Sequence, residues 1–229
     1  MGRITLAGSP PVEIILRRSA QAKRLSLRVS KLDGRVTMTM PRWASERRAQ
    51  QFAQEKADWI TNAVAAQDEI VDVIPGAELP VEGDLRTVTA GTGRSARLLP
   101  GSLVVPLAGP GGAAQALLKH MARDRLAAAA ARYAEVVDCR YKRLTLRDTR
   151  SRWGSCSAEG NLMFSWRLIM APRDVLDYVA AHEVAHLVRM DHSPAFWSVV
   201  RGLCPEYERP RAWLRREGHK LHRFRFVTA

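Results

Sequence analysis

The sequence has little with which to staple itself or to cross a membrane. Among 229 residues only Cys139, Cys156 and Cys204 are cysteines, widely spaced and with no Cys-x-x-Cys pair. An odd, scattered set excludes a disulfide framework, and the simplest setting is a reduced, cytoplasmic one. No apolar run approaches the 18 residues that suggest a membrane-spanning helix, so no membrane partner is expected. The opening MGRITLAGSPPVEIILRR is not expected to act as a secretion leader, because two prolines and Glu13 interrupt its apolar stretch. Internal repeats and low-complexity tracts are absent as well. Acidic residues are outnumbered, 23 Asp/Glu against 36 Lys/Arg, for a net charge of +13. The imbalance sits mainly in residues 112–229, with 21 basic and 12 acidic, against 15 and 11 in residues 1–111. Such charge speaks of partners and says little about fold. A well-solvated basic surface is the ordinary reading, and attraction of an anionic partner, nucleic acid or nucleotide, is the alternative. No helix-turn-helix, zinc-finger or RNP pattern accompanies the charge.

What is present suffices for a core, since 46% of the residues are hydrophobic. Val12–Leu16, Leu25–Val29 and Arg35–Met40 read as short strands, with a turn at Lys31-Leu32-Asp33-Gly34. Pro41 ends the third. Ser45 is a plausible N-cap for one helix over residues 46–67, with Phe52, Trp59, Ile60 and Val64 along one stripe. Leu85–Thr89, Arg97–Leu99 and Leu103–Val105 suggest further strands. Gly109-Pro110-Gly111-Gly112 is the strongest breaker cluster and divides the chain into a strand-rich region with one helix, 1–111, and a second domain, 112–229. An Ala-rich helix is expected over Ala113–Val137. Leu144–Thr149 reads as a strand, and Arg152–Cys156 with Leu162–Trp166 as a hairpin about Ala158–Asn161. Helices follow at about Pro172–Met190, 194–203 and 206–218, the second started by Ser193-Pro194. The class is α+β.

The helix that opens at Pro172 is apolar almost all round, through Val175, Leu176, Val179, Ala180, Ala181, Val184, Ala185, Leu187 and Val188, so it should be buried. Into it are set His182, Glu183 and His186. Histidines four apart share one helix face and can each offer a ring nitrogen to one ion. A carboxylate buried beside them is costly unless it is paired or faces a metal. This is the HExxH arrangement, in which two histidines hold Zn²⁺ and the glutamate is general base toward a metal-activated water attacking a carbonyl. Two core histidines and a salt-bridged glutamate are the bland alternative. The preferred third ligand is His192, six residues beyond His186, where the chain can leave the helix and fold back. Glu206, Glu208, Asp191, His219 and His222 remain rivals, and His120 reads as a surface residue. The spacing matches the metzincin pattern HExxHxxGxxH, but Arg189 stands where that pattern has glycine and no methionine turn is evident.

Around this site, Trp153 and Trp166 read as core, Cys156 as a small buried thiol with metal contact the alternative, and Phe196 and Trp197 as packing beneath the histidines. Tyr207 and Arg211 are candidate oxyanion donors, with packing the commoner role for the tyrosine. Arg152–Cys156 could form an edge strand that pairs with an extended peptide, with Gly154 permitting close approach.

SRWGSCSAEGNLMFSWRLIMAP, DYVAAHEVAHLVRMDHSPAFW and CPEYERPRAWL, in that order, resemble the YgjP-like metallopeptidase family, related to the SprT and WLM zincins. The resemblance is strong over about Tyr141–Leu214 and extends more loosely to KRLSLRVSKLDGRVTMTMP. It implies a zincin-like catalytic region of metal-binding helix, second long helix and small sheet. It also implies His182, His186 and His192 as zinc ligands and Glu183 as the catalytic residue. The expected activity is a zinc metallopeptidase acting on peptide or protein. The alternatives are a metal-dependent nucleotide or phosphoanhydride hydrolase and a nucleic-acid-associated protease of the SprT type.

Overall fold

In the strand Val12–Ser19, Ile14 and Leu16 are buried while Glu13 and Arg17 are exposed, the period-two pattern of a sheet covered on one face. The computed structural model describes residues 2–8, 10–30, 33–67 and 69–227. Its chain forms two compact units, Met1–Glu69 and Ile70–Ala229. The first holds Gly2–Leu6 (β1), Val12–Ser19 (β2), Ser26–Val29 (β3) and Val36–Pro41 (β4) in the order β1-β2-β4-β3. Strands β2 and β4 run parallel and the other pairs antiparallel. Of the expected turn, Lys31 and Leu32 lie outside the described residues. Strand β1 was not expected.

The expected single helix is two, Glu46–Glu55 (α1) and Ala57–Ala65 (α2), parted at Lys56. Ser45 does cap the first, its hydroxyl accepting from the Arg48 amide at 3.2 Å. The break shifts the helical phase, so Ile60 is fully buried while Trp59, expected on the same stripe, is 49% exposed. Ala49, Ala53 and Ile60 pack with Ile14, Leu16, Val36, Met38 and Met40 in a core of this unit's own.

The second unit takes in both sides of the 109–112 cluster. Val71–Asp72 (β5) is followed by Glu78–Val81 (β6), Asp84–Gly91 (β7), Arg97–Leu99 (β8) and Ser102–Pro106 (β9), the last four forming a sheet ordered β6-β7-β9-β8. Pro110–Val136 (α3) begins inside the breaker cluster, with Pro110 in its first turn and Gly109 before it at φ 62°. Ala114, Leu118, Ala122, Leu126, Ala129 and Ala130 make its buried stripe. Arg143–Arg147 (β10), Gly154–Cys156 (β11) and Asn161–Ser165 (β12) form a sheet ordered β10-β12-β11, so β11 is an edge. A buried 3₁₀ turn, Trp166–Met170, leads to Arg173–Ala185 (α4). Pro194–Leu203 (α5), Glu208–Glu217 (α6), a 3₁₀ turn at Gly218–His222 and Phe224–Arg225 (β13), paired with β5, complete the chain. The fold is mixed α+β as expected. No helix among the described residues is long and apolar enough to cross a membrane. The three cysteines are free thiols.

Two polar anchors hold the second unit around α4. Glu82, in the tight β6–β7 turn at φ 52°, receives Arg125 of α3 at 2.6 Å and Arg173 of α4 at 2.7 Å. Arg167 in the 3₁₀ turn grips Asp148 at 2.6 and 3.1 Å and donates to the Leu221 and Phe224 carbonyls.

Candidate metal centre

Helix α4 was expected to be buried on nearly all sides, and Val175, Leu176, Val179, Ala180, Ala181, Val184 and Ala185 are all buried. It ends at Ala185, with His186 as its C-cap, and does not continue to Met190. The Leu187, Val188 and Arg189 amides bond back to Val184 and Ala185 carbonyls in a tight closing turn. The chain then turns, and Ser193 caps α5 through its hydroxyl and the Phe196 amide. That course returns His192 to the face of α4 carrying His182 and His186.

One ring nitrogen from each of His182, His186 and His192 can be chosen so that all lie within 4.8 Å of one another. The Nε2 atoms of His182 and His192 face each other at 3.2 Å. A tetrahedral shell with bonds of ~2.0–2.1 Å has ligand atoms about 3.3 Å apart. His186 Nδ1 contacts the Arg189 carbonyl at 2.9 Å, which makes Nδ1 the donor and leaves Nε2 a bare lone pair. Burial pushes the His182 imidazole down to about 3, with His186, His192 and Arg211 adding to the shift. It lowers His186 as well. Neutral imidazoles with converging lone pairs suit a divalent cation, so the donor set fits a metal.

Aromatic packing holds the rings. Phe196, fully buried, lies with its ring centroid 4.5 Å from that of His186, 4.9 Å from His192 and 5.0 Å from His182. Trp197 flanks His182 and His192. Tyr178, one turn before His182 on the same face, meets its ring edge-on at 5.9 Å. That i,i+4 spacing was the available signal for Tyr178, which the sequence reading did not single out. Tyr207 is buried and stacked between Tyr178 and Trp197, and the Arg211 guanidinium lies over Trp197 at 4.3 Å. Both are thus built into the aromatic wall behind His182.

Glu183 is 5% exposed. Burial raises its carboxyl to about 8, with Arg152 pulling the other way. It sits against β11 at Gly154, where a Cβ would lie 2.6 Å from both Cγ and Oε1 of Glu183. A cavity of about 440 Å³ opens here, with Ser151 to Cys156, except Trp153, on one wall and the three histidines, Glu183 and Met190 on the other. Cys156 is half-buried, and its thiol is pushed up to about 11 by burial and the Glu183 charge. Met190 was expected as the end of the helix and stands instead in the turn beyond it.

Among the described residues the rival ligands are not brought into this cluster. Asp191 binds the Ser193 hydroxyl at 2.8 Å, and His222 packs on Trp153 at 5.1 Å between ring centroids. His120 makes an exposed pair with Asp124. Trp166 is core and Trp153 packs partly against it.

An imidazole trio on an HExxH helix, facing a glutamate and an edge strand, defines a candidate metallohydrolase centre. The chain belongs to the YgjP-like metallopeptidase family, whose domain profile matches residues 23–217. A comparison with curated proteins finds no match. Among solved structures, part of the chain is similar to the metallopeptidase zymogen abylysin of Pyrococcus abyssi. The match has 17% identity and a TM-score of 0.34, and covers 40% of this chain and 95% of that one.

Proposed function

We propose that this protein is a zinc-dependent peptidase, with His182, His186 and His192 as metal ligands and Glu183 as general base. The catalytic machinery then lies within residues 112–229. The observation that carries the reading is the convergence of three imidazole nitrogens within 4.8 Å beside a buried glutamate. Bound there, zinc supplies Lewis acidity at the open side of the cleft. The chain's own residues do the rest. Glu183 Oε1, held between α4 and Gly154, takes a proton from the attacking water and hands it to the departing amine. A carboxyl raised toward neutrality can both accept and return that proton near pH 7. The main chain of β11, a sheet edge along the cleft wall, offers hydrogen bonds to an extended peptide. That edge favours a peptide over a phosphoanhydride, and among the described residues Arg152 is the one Lys or Arg that lines the cavity. Free thiols agree with a reducing, cytoplasmic setting.

The test pairs metal analysis with turnover. Wild type purified in the presence of zinc should hold about one ion per chain. Glu183→Gln should keep the metal and lose ~10²- to 10⁴-fold in kcat. His192→Ala should lose the metal. A wild-type chain that takes up no zinc overturns the proposal.

A further inference from the structure

The cleft wall facing Glu183 begins with an arginine that no carboxylate grips directly, although its charge acts on Glu183 through space. Arg152 lines the metal cavity, and its guanidinium has no hydrogen bond or ion pair among the described residues. Several arginines of the second unit, by contrast, are tied into ion pairs. Arg125 and Arg173 are held by Glu82, Arg132 by Asp177, Arg167 by Asp148 and Arg225 by Asp72. Arg152 nonetheless stands on a fixed base. Its carbonyl accepts from the Thr149 hydroxyl at 2.8 Å, and the next carbonyl, of Trp153, accepts from the Ser165 amide at 2.8 Å. The Trp153 ring is pinned against Gly218 and His222. Arg152 lies two residues before Gly154, just ahead of β11, and both line the cavity, where Gly154 faces Glu183. Among the described residues Glu183 is the only carboxylate lining the cavity, and it is buried. A rigidly based, exposed and unpaired guanidinium is a ready partner for an incoming carboxylate, which it can grip with two parallel hydrogen bonds.

We propose that Arg152 is a specificity residue that binds a carboxylate of the substrate peptide, so that the enzyme selects acidic peptides. The proposal rests on the peptidase reading. A peptide extended along β11 advances ~3.3 Å per residue, so the carboxylate recognised lies about two or three residues from the scissile bond. An Asp or Glu side chain and the terminal carboxylate of a short product-side segment present the same chemistry.

The experiment compares zinc-loaded wild type, Arg152→Gln, Arg152→Lys and Arg152→Glu on peptides that carry Asp or Glu, Asn or Gln, or Lys at each position around the cleavage point. Each peptide is made with a free and with an amidated C-terminus. Wild type should prefer the acidic peptides ~10- to 100-fold in kcat/KM, chiefly through KM. Arg152→Gln should bring the acidic-to-neutral ratio of kcat/KM to about one, whatever rate change both share through the Glu183 charge, and Arg152→Glu should turn the preference toward Lys. Loss of the preference on amidation alone assigns the terminal carboxylate, and its persistence assigns the side chain. Binding of the same peptides to metal-loaded Glu183→Gln, read by fluorescence anisotropy, should show the same ranking without turnover. Equal wild-type cleavage of acidic and neutral peptides, or an equal loss on both in Arg152→Gln, overturns the proposal while leaving the peptidase reading intact. Zinc-loaded protein that neither binds nor cleaves any of the peptides overturns both.

Discussion

Gly154→Ala is the sharpest probe of how the fold builds the site. The added methyl would stand 2.6 Å from Glu183 Cγ and Oε1 and 2.8 Å from Cδ, where ordinary contact begins at 3.4 Å. Relief therefore needs a shift of roughly 1 Å in either the carboxylate or strand β11. The strand is tied to β12 from Gly154↔Phe164 to Cys156↔Leu162, and Phe164 and Leu162 are fully buried, so it yields reluctantly. Glu183 is 5% exposed, so its carboxylate has little open space to move into. Overpacking of this kind costs ~1–3 kcal/mol, and each kcal/mol lowers the melting temperature of a chain this size by about 2–4 °C. A misplacement near 1 Å at a reacting group can cost about 10²-fold in rate. Gly154→Ala is thus expected to bind metal normally, to melt a few degrees lower, and to lose ~10²-fold in kcat. Ser155→Ala on the same strand should do neither. The assays are differential scanning fluorimetry, elemental analysis and peptide turnover. A Gly154→Ala enzyme with wild-type melting and wild-type kcat would refute the claim that the missing Cβ reserves room for the carboxylate.

Other outcomes follow from the surroundings of the site. Phe196→Ala removes a fully buried ring that touches all three imidazoles, and should cost ~3–5 kcal/mol in urea unfolding and weaken zinc retention against a chelator. Cys156, its thiol pushed to about 11, should react with iodoacetamide at pH 8 on the order of 100-fold slower in the folded metal-free protein than in urea, as followed by peptide mass mapping. Burial, then the Arg167 charge, pushes the His222 imidazole down to about 4 from 6.5. It is neutral in the fold while the unfolded chain takes up a proton below pH 6.5. Its contribution to stability is therefore complete above that pH and is lost as pH falls toward 4. The urea midpoint should drop more steeply between pH 7 and 5 in wild type than in His222→Gln, and equal slopes would show that His222 is not the group responsible.

The features legible in the sequence are those with local causes. His182 and His186 share a face because four residues make about one helical turn, and the Ser45 and Ser193 caps follow from a hydroxyl placed before a helical run. The β8 span and the β11–β12 hairpin followed from strand composition and the turn at Gly160. Less legible was whatever a distant partner decides. The Gly-Pro cluster at 109–112 looked like a seam, yet Leu103 and Val105 before it share a core with Ala114, Leu118 and Leu126 after it. Its glycines have local work instead, since a Cβ on Gly111 would meet the Val227 backbone at 2.7 Å. The 3₁₀ turn 166–170 was hidden because all five of its residues are buried, leaving no periodicity to read.

The end of α4 shows two sequence expectations in conflict, and the geometry decides between them. Leu187 and Val188 continue the apolar run, which argued for a helix to Met190. At 1.5 Å per residue, a helix continued to His192 would carry it about 9 Å along the axis from His186, away from the His182–His186 pair. A third histidine at that spacing can join the first two only if the helix stops early. The stop at Ala185 is held by the Arg189 carbonyl contact to His186 Nδ1, so the same bond that bends the chain back also sets the tautomer of His186. Val188 and Met190, the residues that misled the helix reading, are 42% and 53% exposed. Their apolar surface lies in the turn, where Met190 borders the cleft.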